Sequence, residues 1–243
     1  MTELTSIIIL AWNQMSYSMQ CLQSILENTQ EPYELILIDN GSTDATCSYF
    51  CSIPKATVIK NSVNLGFAKG CNQGIKLASG NKILLLNNDT IVSHNWLSNM
   101  VSCLESRKDI GLVSCYTNYV GSENQLSAAF NNIEEYHKFA KSFNQPDASK
   151  WREIQSGWLS GFCLLIKSEV IEKIGYLDEQ FQYGGQEDVD YCMRVIADSY
   201  KLYLSGDTFI YHHGSKTFHG NNLPIDKIMQ QNKELRDKKW NKI

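Results

Sequence analysis

Apolar residues fall along this chain in short unbroken runs, separated by longer stretches with helical spacing. Residues 6–10 form a continuous β-branched run of the kind that builds a strand covered on both faces. Residues 16–27 place Met19, Leu22, Ile25 and Leu26 on one helical face. A second buried strand is expected at 34–38, stopped by the turn signal Asp39-Asn40-Gly41-Ser42. Ser42 or Thr43 can cap a short helix reaching about Phe50. Strands follow at 56–60, 82–86 and 110–115, with helices at 66–79 and 94–106 between them. Gly80-Asn81 reads as the stop signal of the first of these helices. Such alternation predicts an α/β fold with a parallel sheet and right-handed crossovers.

Beyond Tyr116 the pattern loosens. Residues 117–156 are polar and aromatic and read as an insertion with one helix near 134–142. Regular structure is expected again as a strand at 162–167, helices at 168–174 and 188–198, and two strands at 202–204 and 208–211. The tail, 224–243, is a charged amphipathic helix. No internal repeat or linker interrupts the chain.

Composition narrows the picture. A chain of 243 residues that is 43% hydrophobic can bury one large α/β core. A formal net charge of -4 with no long basic run gives no electrostatic footprint for nucleic acid, so that partner is set aside. Eight cysteines show no CxxC spacing and read as reduced core thiols. Met1-Thr2-Glu3 lacks the basic start of a signal peptide, and no apolar run approaches the ~20 residues that span a bilayer. A cytoplasmic protein is expected.

Candidate chemistry gathers where ligands bind in open α/β sheets, beyond the carboxyl ends of the strands. The expected strands end in Ala11-Trp12-Asn13, Asp39-Asn40-Gly41-Ser42 and Asn87-Asn88-Asp89. Asp89 places a carboxylate at the sheet edge, suited to a hard divalent cation such as Mg²⁺ or Mn²⁺, with Asn87 offering an amide oxygen to the metal or contacting a ribose. The structural alternative for this triplet is an Asx turn ahead of the next helix. A second cluster, Tyr183-Gly184-Gly185-Gln186-Glu187-Asp188-Val189-Asp190, sets acids at a helix start, where the helix dipole alone would favour them. Three acids after a Gly-Gly loop exceed what capping requires, and a carboxylate there can take a proton from a hydroxyl. Of the adjacent pair His212-His213 one must face the site, and His212 is preferred as a further metal ligand. Trp158 and Tyr183 are the preferred aromatic platforms for an acceptor, with Trp151, Phe162 and Phe181 as weaker candidates.

Ordered segments along the chain resemble the family 2 glycosyltransferases of GT-A fold: residues 6–13, Ile38-Asp39-Asn40-Gly41-Ser42-Thr43-Asp44, Asn64-Leu65-Gly66-Phe67-Ala68-Lys69-Gly70-Cys71-Asn72-Gln73-Gly74-Ile75 and Leu85-Leu86-Asn87-Asn88-Asp89-Thr90, and, for the acceptor half, Gly175-Tyr176-Leu177-Asp178-Glu179-Gln180-Phe181 and Glu187-Asp188-Val189-Asp190. The resemblance implies a single GT-A domain at 1–222, with a donor half at 1–116, an acceptor half at 117–222 and a C-terminal amphipathic helix at 223–243. It implies an inverting, metal-dependent transfer from a nucleotide-diphosphate sugar to an acceptor hydroxyl in glycan, polysaccharide or glycoprotein synthesis. A UDP-sugar is the first expectation for the donor and dTDP-rhamnose the second; the acceptor is a glycan, a lipid-linked glycan or a protein. Trp12, Asn13 and Asp39 would hold the base, and Asn64, Gly66 and Lys69 the nucleotide and diphosphate. Asn40, Asn72, Asn87 and Asn88 lie in the same matched segments and count with the nucleotide-sugar contacts. Asp89 would bind Mn²⁺ or Mg²⁺ with His212, Asp188 would be the general base, and Glu187 would shape the acceptor side. Two departures stand out: the metal motif of the family reads Asp-x-Asp where this chain has Asn87, and Trp12 replaces a common tyrosine.

Rival readings fare worse. The first loop has neither the glycines nor the basic residues a nucleotidyltransferase needs, and GxGxxG is absent after the first strand. A non-catalytic nucleotide-sugar or glycan-binding module remains the alternative of another class, supported by Asn87. The C-terminal helix is open to three roles: packing on the domain, forming a homodimer, or lying peripherally on the inner face of a membrane that carries a lipid-linked acceptor.

Overall fold

The computed structural model describes residues 3–155, 157–214, 216, 220–221 and 223–241. Met1 and Thr2 at the expected start, Ser156 in the insertion, and Lys242 and Ile243 of the tail lie outside the described residues. In chain order the elements are β1 (Thr5–Ala11), α1 (Met15–Asn28), β2 (Tyr33–Asn40), α2 (Thr46–Ser52), β3 (Thr57–Asn61), α3 (Phe67–Leu77), β4 (Lys82–Asn87), β5 (Thr90–Ile91) and α4 (Trp96–Glu105). They continue with β6 (Ile110–Thr117), α5 (Ile133–Phe143), β7 (Arg152–Glu153), β8 (Cys163–Lys167), α6 (Ser168–Ile174), α7 (Glu187–Ala197), β9 (Lys201–His212) and α8 (Ile225–Trp240).

The strands form one sheet in the order β3-β2-β1-β4-β8-β6-β9-β5, with β7 also on β9. β3, β2, β1 and β4 run parallel, as the alternating pattern predicts. β8 is antiparallel to both neighbours and makes the sheet mixed. It enters from the insertion rather than from a crossover helix, so it starts at the edge where β4 ends.

Each apolar run is buried on both faces because alternate residues serve two cores. Ile7, Ile9, Leu84 and Leu86 pack under α1 and α4 with Leu22, Trp96 and Met100. Ile8, Ile36, Ile83 and Leu85 pack on the other face with Ala68 and Cys71 of α3 and Tyr191 and Val195 of α7. Six of the eight cysteines are buried in these layers as free thiols, whereas Cys47 is half-buried and Cys51 exposed on α2.

Where two strands are expected near the C-terminus, one twelve-residue strand runs from Lys201 to His212. Its register against β6 jumps between Cys115 and Tyr116, so that Ser205 and Phe209 face adjacent residues. The extra residues include Gly206 and Asp207, whose polarity breaks the apolar pattern without breaking the strand. Buried Asp207 accepts from the Trp151 indole N–H at 2.9 Å and from the Asp147 backbone N–H at 2.9 Å, which ties the insertion to the sheet. The insertion's helix α5 seats Tyr136 and Ala140 on Phe209, and the Tyr136 hydroxyl donates to the Ile91 carbonyl at 2.7 Å. Among the described residues no helix is long and apolar enough to cross a membrane.

Candidate active site

Strand register brings the polar ends to one edge. Ala11 pairs with Asp39, Leu10 with Asn87, and Asn40 with Asn61, so the ends of β1, β2, β3 and β4 lie level. β5 turns back beside the end of β9, pairing Thr90 with His212. This places Asp89 against His212 although they are far apart in the chain.

Two adjoining cavities open at this edge. The inner one, about 140 Å³, is lined by Trp12, Asn40, Asn64, Asn88, Asp89 and Lys216, among others. The outer one, about 650 Å³, is lined by Trp158, Gly161, Gln186, Glu187, Asp188 and Met229, among others. Phe67, Asn87, Tyr183 and His212 border both, so the two form one cleft.

In the inner cavity Asp89 is 4% exposed, and its Oδ1 lies 3.1 Å from His212 Nε2. Its Oδ2 accepts the Lys216 backbone N–H at 3.3 Å. Burial alone would raise the Asp89 pKa, but the hydrogen bond and charge of His212, with the Lys216 amide, hold it below the ordinary carboxylate value. His212 is fixed from all sides. Its Nδ1 lies 2.8 Å from the Tyr119 carbonyl, which takes the ring N–H there and turns Nε2 toward Asp89. Its ring stacks on Phe162, and its backbone exchanges hydrogen bonds with the Asn118 amide. A histidine whose far nitrogen donates to a carbonyl while the near one faces a carboxylate has the arrangement of a metal ligand with its orienting partner. The Asn87 amide stands 3.5 Å from the same nitrogen. These residues fit a hard divalent cation with positions left for ligand oxygens. Among the described residues no cluster of three His, Cys, Asp or Glu side chains forms. The neighbouring His213 points elsewhere, its ring edge-on to Tyr17 and Tyr211.

The outer cavity holds the other acids. Gly161 and Val189 backbone N–H groups donate to the two Asp188 carboxylate oxygens, each at 2.8 Å. Burial raises the Asp188 pKa, and these donors work against the rise. Glu187 also has backbone N–H groups beside it, but its Oε2 is buried with no hydrogen-bond partner. Burial, with the adjacent Asp188 charge, pushes the Glu187 carboxyl up to about 8. Both carboxyls are thus held above their ordinary range, Glu187 by burial beside the Asp188 charge and Asp188 by burial that its amide donors oppose. The third acid, Asp190, is turned away and fully buried, bound by Arg194 at 2.9 Å and Lys239 at 2.7 Å.

Other expected site residues take different places. Trp12 lines the inner cavity. Asn13 is a bracket between loops: its Oδ1 accepts the Thr43 N–H at 2.7 Å and its Nδ2 donates to Asn221 at 2.6 Å. Asp39 is buried at the end of β2, accepting the Ser42 N–H at 3.3 Å. Asn40 spends its amide on the 61–66 loop, donating to Asn64 at 2.8 Å and accepting from Asn61 at 3.0 Å and Leu65 N–H at 3.1 Å. Gly66, at φ 84°, turns the chain into α3 directly below Tyr183; a Cβ there would stand 3.1 Å from the Tyr183 nitrogen. Asn88 lines the inner cavity and donates to Ser18 at 2.9 Å. Of the expected site residues, Asn13, Asp39, Gly66, Lys69 and Asn72 line neither cavity. Lys69 sits on the exposed face of α3. Asn72 is buried and pinned to Leu177, accepting its N–H at 3.0 Å and donating to its carbonyl at 2.9 Å. Trp158 and Tyr183 both line the outer cavity.

Lys216 and Phe67 were missed in the sequence. Lys216 sets a cation in the inner cavity, 6.0 Å from the Tyr17 ring centre. No periodicity marks a lone lysine in a loop; the adjacent His212-His213 pair was the only signal nearby.

Residues 6–175 match glycosyl transferase family 2, well over half of the chain. The chain is 25% identical over 184 residues to glycosyltransferase GlyG of Streptococcus pneumoniae, covering 72% of this chain and 60% of that protein. It is 27% identical over 202 residues to an Escherichia coli protein, WfaP, named as a UDP-Glc:alpha-D-GlcNAc-diphosphoundecaprenol beta-1,3-glucosyltransferase, covering 82% and 72%. The chain spans from 17% to 60% of the length of four curated relatives it matches, GlyG among them. Among solved structures, the mannosyltransferase PcManGT of Pyrobaculum calidifontis, in complex with GDP-Man and Mn²⁺, superposes with a TM-score of 0.63 at 18% identity, covering 86% of this chain and 56% of that one. The sheet order, the cleft at the strand ends and the family match agree: the chain belongs to glycosyl transferase family 2.

Proposed function

We propose that the chain transfers a sugar from a nucleoside-diphosphate donor to an acceptor hydroxyl with inversion at the anomeric carbon. One observation carries the reading. The Asp89–His212 pair in the inner cavity and the Glu187–Asp188 pair in the outer cavity face one cleft, joined by Phe67, Asn87, Tyr183 and His212. The inner cavity suits the donor: Trp12 offers a face to the base, and Lys216 offers a cation to the diphosphate. Asp39, buried at the end of β2, is the residue we assign to the base edge. Asp89 and His212 would hold Mn²⁺ or Mg²⁺, which when bound supplies charge neutralisation to the departing diphosphate.

The outer cavity suits the acceptor, with Trp158 and Tyr183 as apolar platforms. Asp188, held by two backbone amides, accepts the proton of the acceptor hydroxyl. The freed oxygen bonds to the anomeric carbon as the carbon–diphosphate bond breaks on the opposite face. Glu187 beside it shapes the acceptor side of the cavity. Among the described residues no second carboxylate faces the inner cavity as a nucleophile beside Asp89, in keeping with single displacement. For the donor we read a UDP-sugar first and dTDP-rhamnose second. The UDP-Glc in the name of the E. coli relative supports the first choice. That name also supports a lipid-linked glycan among the acceptors.

Asn87, in place of an acid beside the cation site, favours one second reading: a module that binds nucleotide-sugars without turning them over. A panel of nucleotide-sugars with Mn²⁺, read by release of UDP, dTDP or GDP, separates the two. The wild-type chain should release nucleotide from one donor, and Asp188→Asn should keep donor affinity while turnover falls on the order of 10²–10⁴-fold. Donor binding with no release from the wild type would establish the second reading instead.

A further inference from the structure

The loop that leads into Glu187 and Asp188 has an unfavourable backbone. Tyr183, Gly184, Gly185 and Gln186 stand at φ 60°, 131°, 93° and 82°, four consecutive residues with positive φ. Two of them carry a Cβ, which disfavours this region and persists there only when the surroundings impose it. The same loop does much of the site's work: Tyr183 borders both cavities, and Gly184, Gly185 and Gln186 wall the outer one.

The restraint comes from α8. Asn232 is 4% exposed, and its amide nitrogen donates to the Gln182 carbonyl at 3.0 Å and to the Gly184 carbonyl at 3.1 Å. One turn on, Arg236 donates to the Gln186 side-chain carbonyl. One turn before, Met229 covers Gly185 so closely that any Cβ there would meet its sulfur. At the far end Lys239 bridges Asp178 and buried Asp190, each at 2.7 Å, and the Trp240 indole N–H donates to Asp190 at 2.9 Å. The contacts on α8 recur at 229, 232, 236 and 239–240, one stripe of the helix. α8 lies beyond the residues that match the family, as does the acid-bearing loop it holds.

We propose that α8 is a latch on the acid-bearing loop, and that Asn232 is its positioning residue, holding the 182–186 backbone so that Glu187 and Asp188 face the acceptor cavity. The proposal rests on the transferase reading for its catalytic consequence but not for the latch itself. The test uses the full chain with Asn232→Leu, which keeps the number and branching of side-chain heavy atoms and removes both donors. Lys233→Ala, on the exposed side of α8, is the control. Amide hydrogen exchange at 182–188 should speed up on the order of tenfold in Asn232→Leu, with β1 and β4 unchanged. Turnover of the donor found in the panel should lose about tenfold in kcat, with a smaller change in donor KM, because Tyr183 is the loop's one residue on the inner cavity. Lys233→Ala should match wild type in both. If Asn232→Leu does not fold, Arg236→Ala carries the same two readouts. Unchanged exchange at 182–188 overturns the latch, as does equal loosening throughout the chain. Local loosening with wild-type kcat overturns the positioning role. A wild-type chain inactive on every donor would count against the transferase reading, and exchange alone would then decide the latch.

Discussion

At the scale of single residues the site is governed by two adjacent carboxyls in different surroundings. Asp188 has backbone amides on both oxygens, while Glu187 is buried with one oxygen unpartnered. That difference has a consequence for stability. A carboxyl at about 8 in the fold, against an ordinary 4.5, holds its proton more tightly in the native chain than in the unfolded one. Its contribution is fully present below the unfolded value and is lost as pH rises through the folded one. The melting temperature of the wild type should therefore decline between these two values. Glu187→Gln, which cannot ionise, should decline less over the same window; equal slopes in thermal unfolding across a pH series would contradict the assignment. The acids themselves were legible in the sequence, because three of them follow a Gly-Gly loop. Their division of labour was not. Asp190 looks like its neighbours in one dimension, and only the helical turn shows that it points toward Arg194 and Lys239, away from the cleft. Asn13 and Asn72 were legible as motif residues, yet their side chains are taken up by loop and strand-end contacts that no spacing reveals.

Elements follow the apolar pattern closely where a run is buried on both faces. α3 shows how tightly. It lies so near the sheet that a Cβ at Gly74 would stand 2.6 Å from Ile8 Cγ2 and 3.0 Å from Ile38 Cδ1. Ile8 and Ile38 are both core residues and Ile8 is stiff at χ1, so neither can easily give way. Gly74→Val should lower stability by on the order of 1–3 kcal/mol in urea unfolding, from overpacking. No measurable change would mean α3 rides higher on β1 and β2 than the geometry indicates. The parallel half of the sheet, β1 to β4, could be read from the sequence because each run ends in a turn signal and is followed by a helical period. The mixed half could not. β8 carries the same unbroken apolar run as a parallel strand, and burial on both faces does not encode direction. β9 hides its continuity behind Gly206 and Asp207, which are polar because they anchor the insertion. β5 and β7 are two residues each, too short for any period to register.

For the whole molecule, the cleft is made by parts of the chain that are distant in sequence. Trp12, Asn40, Asn64 and Asp89 come from the ends of the first four strands and the loops that follow them, while Tyr183, His212 and Lys216 come from the second half. A ligand that contacts both sets is bound by the native fold and not by the unfolded chain, so it stabilises the entire domain by mass action. At a hundred times its dissociation constant such a ligand adds roughly 2.7 kcal/mol. In a domain of this size that corresponds to a melting shift of roughly 5–10 °C. UDP with Mn²⁺ is the probe that follows from the proposed donor. The wild type should show this shift, chelation of the metal should remove most of it, and Asp89→Ala should show little shift with or without Mn²⁺. Asp89→Ala also deprives His212 Nε2 and the Lys216 amide of their partner, so its own ligand-free melting point is the baseline for the comparison. An Asp89→Ala chain that gains as much from UDP and Mn²⁺ as the wild type would remove Asp89 from the cation site, and with it the link between the inner cavity and the diphosphate.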